Sequence, residues 1–211
     1  MSYQWNWGVF LQPSASGDDT YLGWMLAGFK MTITLSLTAW VLALLLGALI
    51  GVLRTVPNKA LAGFATGYVE LFRNVPLLVQ LFIWYFVLPE LLPESIGNAY
   101  KQSNPMLQQF LASMVCLALF TSARVAEQVR SGINSLPRGQ KNAGLALGFT
   151  LPQTYRFVML PMAFRLVVPP LTSEFLNIFK NSAVCSTIGL MELAAQGRQL
   201  VDYTAQPYES F

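Results

Sequence analysis

Long apolar runs set the rhythm of this chain, and short polar stretches punctuate them. One run extends from about Met31 to Leu53, with an apolar lead-in from Tyr21 that carries Lys30. A second covers about Leu61 to Leu88 and is interrupted by Glu70, Arg73 and Pro76. A third covers about Met106 to Val129, and a fourth runs from about Ala163 through Pro169-Pro170 to Ile188. About 20 apolar residues in a helix cross the hydrocarbon core of a bilayer. A barrel strand needs only about ten residues, alternating in polarity, and such alternation is absent. The pattern predicts an all-α integral membrane protein, a helical bundle with four spans.

Composition agrees. The 211 residues are 54% hydrophobic and 11% charged, against roughly 25% charged in soluble domains. There are no histidines and two cysteines. Most metal sites and the usual general base are therefore excluded. Cys116 and Cys185 stand in apolar stretches and read as small buried hydrophobes. No basic tract interleaved with aromatics argues for nucleic acid. Residues 1–20 hold no basic residue and no apolar core, unlike a cleaved signal.

Charge placement sets the orientation. Arg54 and Lys59 follow the first run; Arg130, Arg138, Lys141 and Arg156 follow the third, with Arg165 just beyond. The opposite loops carry Asp18, Asp19, Glu90, Glu94, Asp202 and Glu209 against Lys101 and Arg198. Basic loops stay cytoplasmic. The N-terminus is therefore expected outside, and the loop of about 131–162 inside.

That loop is unusually built. Ala143, Gly144 and Ala146 give a helix surface of low relief, and Gly148 suits a left-handed stop. Thr150 and Gln153 have capping-box spacing, with Pro152 in the first turn of the next helix. The result is a short helical finger, open to two readings: a docking element for another protein, or a hairpin packed on its own bundle. Within the membrane, ionisable groups are costly and mark function. Glu70 and Arg73 stand one turn apart and can pair, with Gln80 near the same stripe. Glu174, Asn177 and Asn181 form a polar stripe on the fourth run, with Lys180 a cation beside it. Such a stripe faces protein or water, as structural glue or as a pathway lining. Pro169-Pro170 nearby suggests a broken helix lining a cavity.

Several segments together resemble the permease subunits of polar amino-acid ATP-binding-cassette (ABC) importers. They are Leu136-Pro-Arg-Gly-Gln140 with Leu147-Gly148 and Leu160-Pro161; Glu70-Leu-Phe-Arg73-Asn-Val-Pro76-Leu-Leu-Val-Gln80; Glu127-Gln-Val-Arg130; and Lys180-Asn-Ser182 with Thr187-Ile-Gly189. Trp5-Asn-Trp7-Gly and Leu88-Pro-Glu-Leu-Leu-Pro93 make the likeness greatest to glutamate/aspartate permeases. The resemblance implies a type I importer bundle over residues 21–211, after an external segment 1–20. It also implies an ATPase-coupling set of Gln140, Asn142, Ala143, Gly144, Leu147, Gly148, Leu160 and Pro161. The pathway candidates are Glu70, Arg73, Gln80, Glu174, Asn177, Lys180 and Asn181. No catalytic residue, metal or cofactor is expected on this chain; ATP and Mg would be used by a partner ATPase dimer. The other implied partners are a second permease subunit, identical or homologous, a periplasmic or extracellular solute-binding protein, the amino acid and membrane lipid, in a bacterial cytoplasmic (inner) membrane. Asn142 stands where the family pattern has Glu, and Gly144 where it has a second Ala. The family also has a fifth span that this chain lacks beyond Tyr208-Glu-Ser-Phe211, and truncation is the expectation. The competing function is an ion-coupled secondary transporter, in which Glu70 and Glu174 would couple ions, although no inverted repeat is visible.

Overall fold

The computed structural model describes residue 3 and residues 5–210, Arg138 by its backbone alone. Met1, Ser2, Gln4 and Phe211, at the ends of the predicted external segment and transmembrane domain, lie outside the described residues. A 3-10 turn, Trp7–Leu11, precedes α1 (Tyr21–Leu53), α2 (Lys59–Asn74) and α3 (Leu77–Phe82). A π-helical turn, Ile83–Val87, leads into α4 (Leu88–Leu91), followed by α5 (Glu94–Lys101), α6 (Pro105–Asn134) and α7 (Arg138–Ala146). Then α8 (Leu151–Thr154) passes through a second π turn, Tyr155–Met159, into α9 (Leu160–Ser182). A 3-10 turn, Ala183–Ile188, α10 (Leu193–Thr204) and α11 (Pro207–Ser210) complete the described chain.

Two helices, α1 and α6, are each long and apolar enough to cross a membrane. The second predicted run is not one straight span: Lys59–Asn74 and Leu77–Leu91 meet at 101° and count as a third crossing only if taken together. The cause is Pro76. It forces Val75 into an extended conformation (φ −88°, ψ 126°) and has no N–H for the Phe72 carbonyl one turn back. The fourth run is α9. Arg165, Glu174, Lys180 and two asparagines lower its apolarity, and it is not among the helices that qualify as spans alone. Nor does Pro169-Pro170 break it, because α9 is continuous through both prolines.

The described residues form two compact units, one from residues 1–38, 81–114 and 179–211, the other from 39–80 and 115–178. In the second, α1 and α6 approach closely through Gly47-Ala-Leu-Ile-Gly51. A Cβ at Gly47 would stand 2.6 Å from Val125 Cβ, and one at Gly51 2.7 Å from the Ala126 carbonyl. This is a small-residue membrane contact, where packing holds helices together because lipid supplies no hydrophobic drive between them. Ile50, Ala65, Val69, Ala123 and Ala126 extend the core beside it. Tyr68 donates to Ser122 at 2.6 Å, since the Ser122 hydroxyl itself donates to the Leu119 carbonyl. Leu37, Val41, Leu45 and Leu49, four residues apart, leave an exposed apolar ridge on α1.

In the first unit, Glu192 is almost fully buried and caps α10, accepting the Ala194 and Ala195 N–H groups at 3.0 and 2.7 Å. Thr32 on α1 accepts from the Leu193 N–H at 3.1 Å. At the chain ends, Glu209 accepts the Asn6 N–H at 2.7 Å and the Tyr3 hydroxyl. Burial alone would raise its carboxyl, but these donors outweigh it and hold it below the ordinary glutamate range.

Candidate functional site

The finger between α6 and α9 folds from its own sequence. Pro137 opens α7, with the Gln140 N–H bonded to its carbonyl at 3.0 Å. The helix closes with two crossed bonds, Phe149 N–H to the Gly144 carbonyl at 3.2 Å and Gly148 N–H to the Leu145 carbonyl at 3.0 Å. Gly148 has φ +86°. This is a Schellman stop, and it requires the left-handed residue that the sequence supplies. The Gln153 carboxamide then reaches back to the Thr150 N–H at 2.8 Å, starting α8.

Two contacts fix the finger within its unit. Gly144 is buried under Thr154; a Cβ there would lie 2.8 Å from Thr154 Cγ2. The Tyr155 hydroxyl donates to the Thr55 carbonyl at the end of α1, at 2.8 Å. Of the predicted coupling residues, Asn142, Ala143, Leu147, Gly148 and Pro161 are exposed, and Leu147 keeps 77% of its surface. Gln140 is half-buried, and Leu160 packs against Ile133, Tyr155, Met159 and Ala163. Asn142 and Lys141 line a polar cavity of about 480 Å³ with Asn134, Thr55 and Tyr155.

The pathway candidates fare unevenly. Glu70 and Arg73 do not pair: Glu70 is exposed, and Arg73 instead lies 3.5 Å from Glu127 on α6. Arg73 is also half-exposed, at 48% of its side chain, rather than buried. Its position at the end of α2, beside α6, gives it a better-placed carboxylate than the one on its own helix. Glu127 in turn holds Arg54 and Arg130, the latter also through Nε at 3.1 Å. Gln80 has left the predicted stripe. The bend buries it, and its amide donates to the Phe72 and Val75 carbonyls, both at 2.9 Å. It thereby replaces the N–H that Pro76 lacks. Glu174 and Asn177 fall in the unit of 39–80 and 115–178, and Lys180 and Asn181 in the other.

Sequence reasoning missed Arg124 and Gln128 as pathway candidates. With Arg73, Glu127 and Glu174 they line a polar cavity of about 240 Å³. Arg124 and Gln128 stand four residues apart on α6, with Glu127 between them, a helical spacing that signalled one face. The close α1–α6 contact was legible as Gly-x-x-x-Gly and was also missed.

Helices long and apolar enough to cross a membrane, with a helical finger on one unit, define a helical membrane protein. Residues 43–208 match the family described as binding-protein-dependent transport system inner membrane component. The glutamate/aspartate import permease protein GltJ of Escherichia coli (strain K12) is 61% identical over 212 aligned residues, covering 100% of this chain and 86% of that protein. The probable glutamine ABC transporter permease protein GlnM of Bacillus subtilis (strain 168) is 36% identical over 80% of this chain and 73% of its own length. A solved structure, described as the crystal structure of an amino acid ABC transporter with histidines, superposes with a TM-score of 0.74 at 31% identity. It covers 90% of this chain and 83% of its own. The chain belongs to the binding-protein-dependent transport family of inner membrane components. It is a transport subunit of an ABC importer and not an enzyme.

Proposed function

We propose that this chain is the permease subunit of an ATP-driven importer for acidic amino acids, glutamate and aspartate. The carrying observation is the 61% identity, held over the whole chain, to a permease named for glutamate/aspartate import. In this reading the finger 131–162 docks a cytoplasmic ATPase dimer, and the exposed Leu147, Asn142 and Ala143 meet it. A second permease subunit completes the pathway, since the relatives include both GltJ and GltK of E. coli, the latter 31% identical. A solute-binding protein delivers the amino acid to the outer side, where residues 1–20 lie. Glu174 and Asn177 on α9, with Arg73, line the route. ATP and Mg act in the partner ATPase.

The test is reconstituted uptake. With the ATPase, second permease and binding protein in proteoliposomes, L-glutamate should accumulate with ATP after proton and sodium gradients are collapsed. Gly148→Val places a β-branched residue at φ +86°, a strain of about 1–2 kcal/mol. It should insert normally, yet lower ATP-coupled uptake by about tenfold. Uptake that ignores ATP and follows an ion gradient would return the secondary-transporter reading.

A further inference from the structure

A groove of about 540 Å³ lies between the first turns of α1 and those of α6. Ala27, Met31 and Thr34 line it from α1, and Met106, Leu107 and Phe110 from α6. All of them belong to the unit of residues 1–38, 81–114 and 179–211. The walls are apolar and uncovered: Met106 keeps 55% of its surface and Leu107 47%. Thr34 adds no polar demand, because its hydroxyl already donates to the Lys30 carbonyl at 2.8 Å.

Two polar side chains share this lining, Lys30 and Asn104. Lys30 is exposed and makes no ion pair among the described residues, and no acidic residue among them lines the groove beside it. The Asn104 carboxamide oxygen accepts the Met106 N–H at 2.8 Å, so its NH2 group is what remains to bind. Both side chains thus present donors, one of them charged. Their depth follows from the helices. From Lys30 to Leu53, α1 rises about 35 Å, against a hydrocarbon thickness of about 30 Å. With Arg54 just past one end of that crossing, Lys30 reaches the headgroups of the opposite leaflet. On α6 the rise from Asn104 to Arg130 is about 39 Å, which gives Asn104 the same level.

We propose that this groove binds an anionic phospholipid. An acyl chain lies along Met31, Leu107 and Phe110, and the phosphate sits between Lys30 and Asn104. In the predicted orientation the lipid belongs to the outer leaflet. A zwitterionic phospholipid brings its own ammonium group against Lys30, whereas phosphatidylglycerol brings none. A protein helix could cover the apolar walls, but matching Lys30 would require a carboxylate at the membrane surface beside them. The site is independent of which amino acid the importer carries.

The test reconstitutes the full-length chain with its ATPase and second permease in phosphatidylcholine vesicles. These contain a trace of phosphatidylglycerol or phosphatidylethanolamine with a photoreactive acyl chain, and labelled peptides are mapped. Phosphatidylglycerol should label 27–34 and 106–110 about fivefold more than phosphatidylethanolamine, as one lysine near the membrane surface implies. Lys30→Ala should bring the two lipids to parity, while Lys30→Arg keeps the preference. Ala27→Phe, which fills the groove, should lower labelling by both. Lys101 is also exposed but is paired with Glu90 at 2.7 Å, so Lys101→Ala should leave the preference unchanged. Co-elution of the ATPase reports assembly for each variant. Equal labelling by both lipids in wild type overturns the site. So does no labelling by either, the result expected if the second permease covers the groove. These two outcomes need no variant to assemble. Preference retained in an assembled Lys30→Ala, or lost equally in Lys101→Ala, overturns it as well.

Discussion

At the scale of single residues, the arginines divide by what surrounds them rather than by where they fall in the sequence. Arg54 keeps 13% of its side chain exposed and Arg73 48%, yet both face Glu127, itself 24% exposed. Removing Arg54 leaves a partly buried carboxylate with one close partner, Arg130. Breaking a fully buried pair costs about 3–5 kcal/mol, and incomplete burial reduces this to about 2 kcal/mol. Removing Arg73 breaks a longer, wetter contact worth about 0–1 kcal/mol. Arg54→Ala should therefore lower the thermal midpoint of the purified complex clearly more than Arg73→Ala does. Equal losses would contradict the division. The sequence showed that Glu70 and Arg73 could meet on one helix face. It could not show that α2 ends beside Glu127, because that depends on the turn at Asn58 and on helix crossing.

Elements were legible where local chemistry decides them. Gly148 as a stop and Gln153 reaching back to Thr150 follow from backbone preference alone, and both are present. The π turns were not foreseen, yet both have a local cause. Ile83–Val87 precedes Pro89 and Tyr155–Met159 precedes Pro161, each through a Leu-Pro step. A proline ring crowds the carbonyl four residues back, and widening the preceding turn relieves that clash. Pro169-Pro170 produces no such turn and no break, a difference for which the structure gives no local account. Gly144 illustrates what only packing reveals. Its departure from the alanine of the family pattern is matched by Thr154, whose Cγ2 would lie 2.8 Å from a Cβ at this position. Thr154 is stiff and fully buried. Gly144→Ala should accordingly destabilise the finger by about 1 kcal/mol, within the usual range for overpacking. Thr154→Ser in the same chain should restore it by removing the clashing methyl. The check is amide hydrogen exchange across 138–154; if the double variant exchanges faster than Gly144→Ala alone, the contact is misassigned.

Across the whole molecule, charge is partitioned as the structural units are. Nine of the 13 Lys and Arg residues fall within 39–80 and 115–178, against three acidic residues; the other unit holds four and seven. The basic loops on which the orientation is predicted thus gather in one unit, and nothing in the compactness of a unit demands it. Positive charge is retained on the cytoplasmic side during insertion, so the expected orientation has Lys59 on the cytoplasmic side and the segment before α1 outside. Asp18 and Lys59 are both exposed and lie on either side of α1. Cys116 and Cys185 are buried and form no disulfide among the described residues, so replacing both with alanine gives a background for labelling. In that background Asp18→Cys should react with a membrane-impermeant maleimide on intact spheroplasts. Lys59→Cys should react only after the membrane is opened. The opposite pattern would invert the orientation and remove the finger from any contact with a cytoplasmic ATPase.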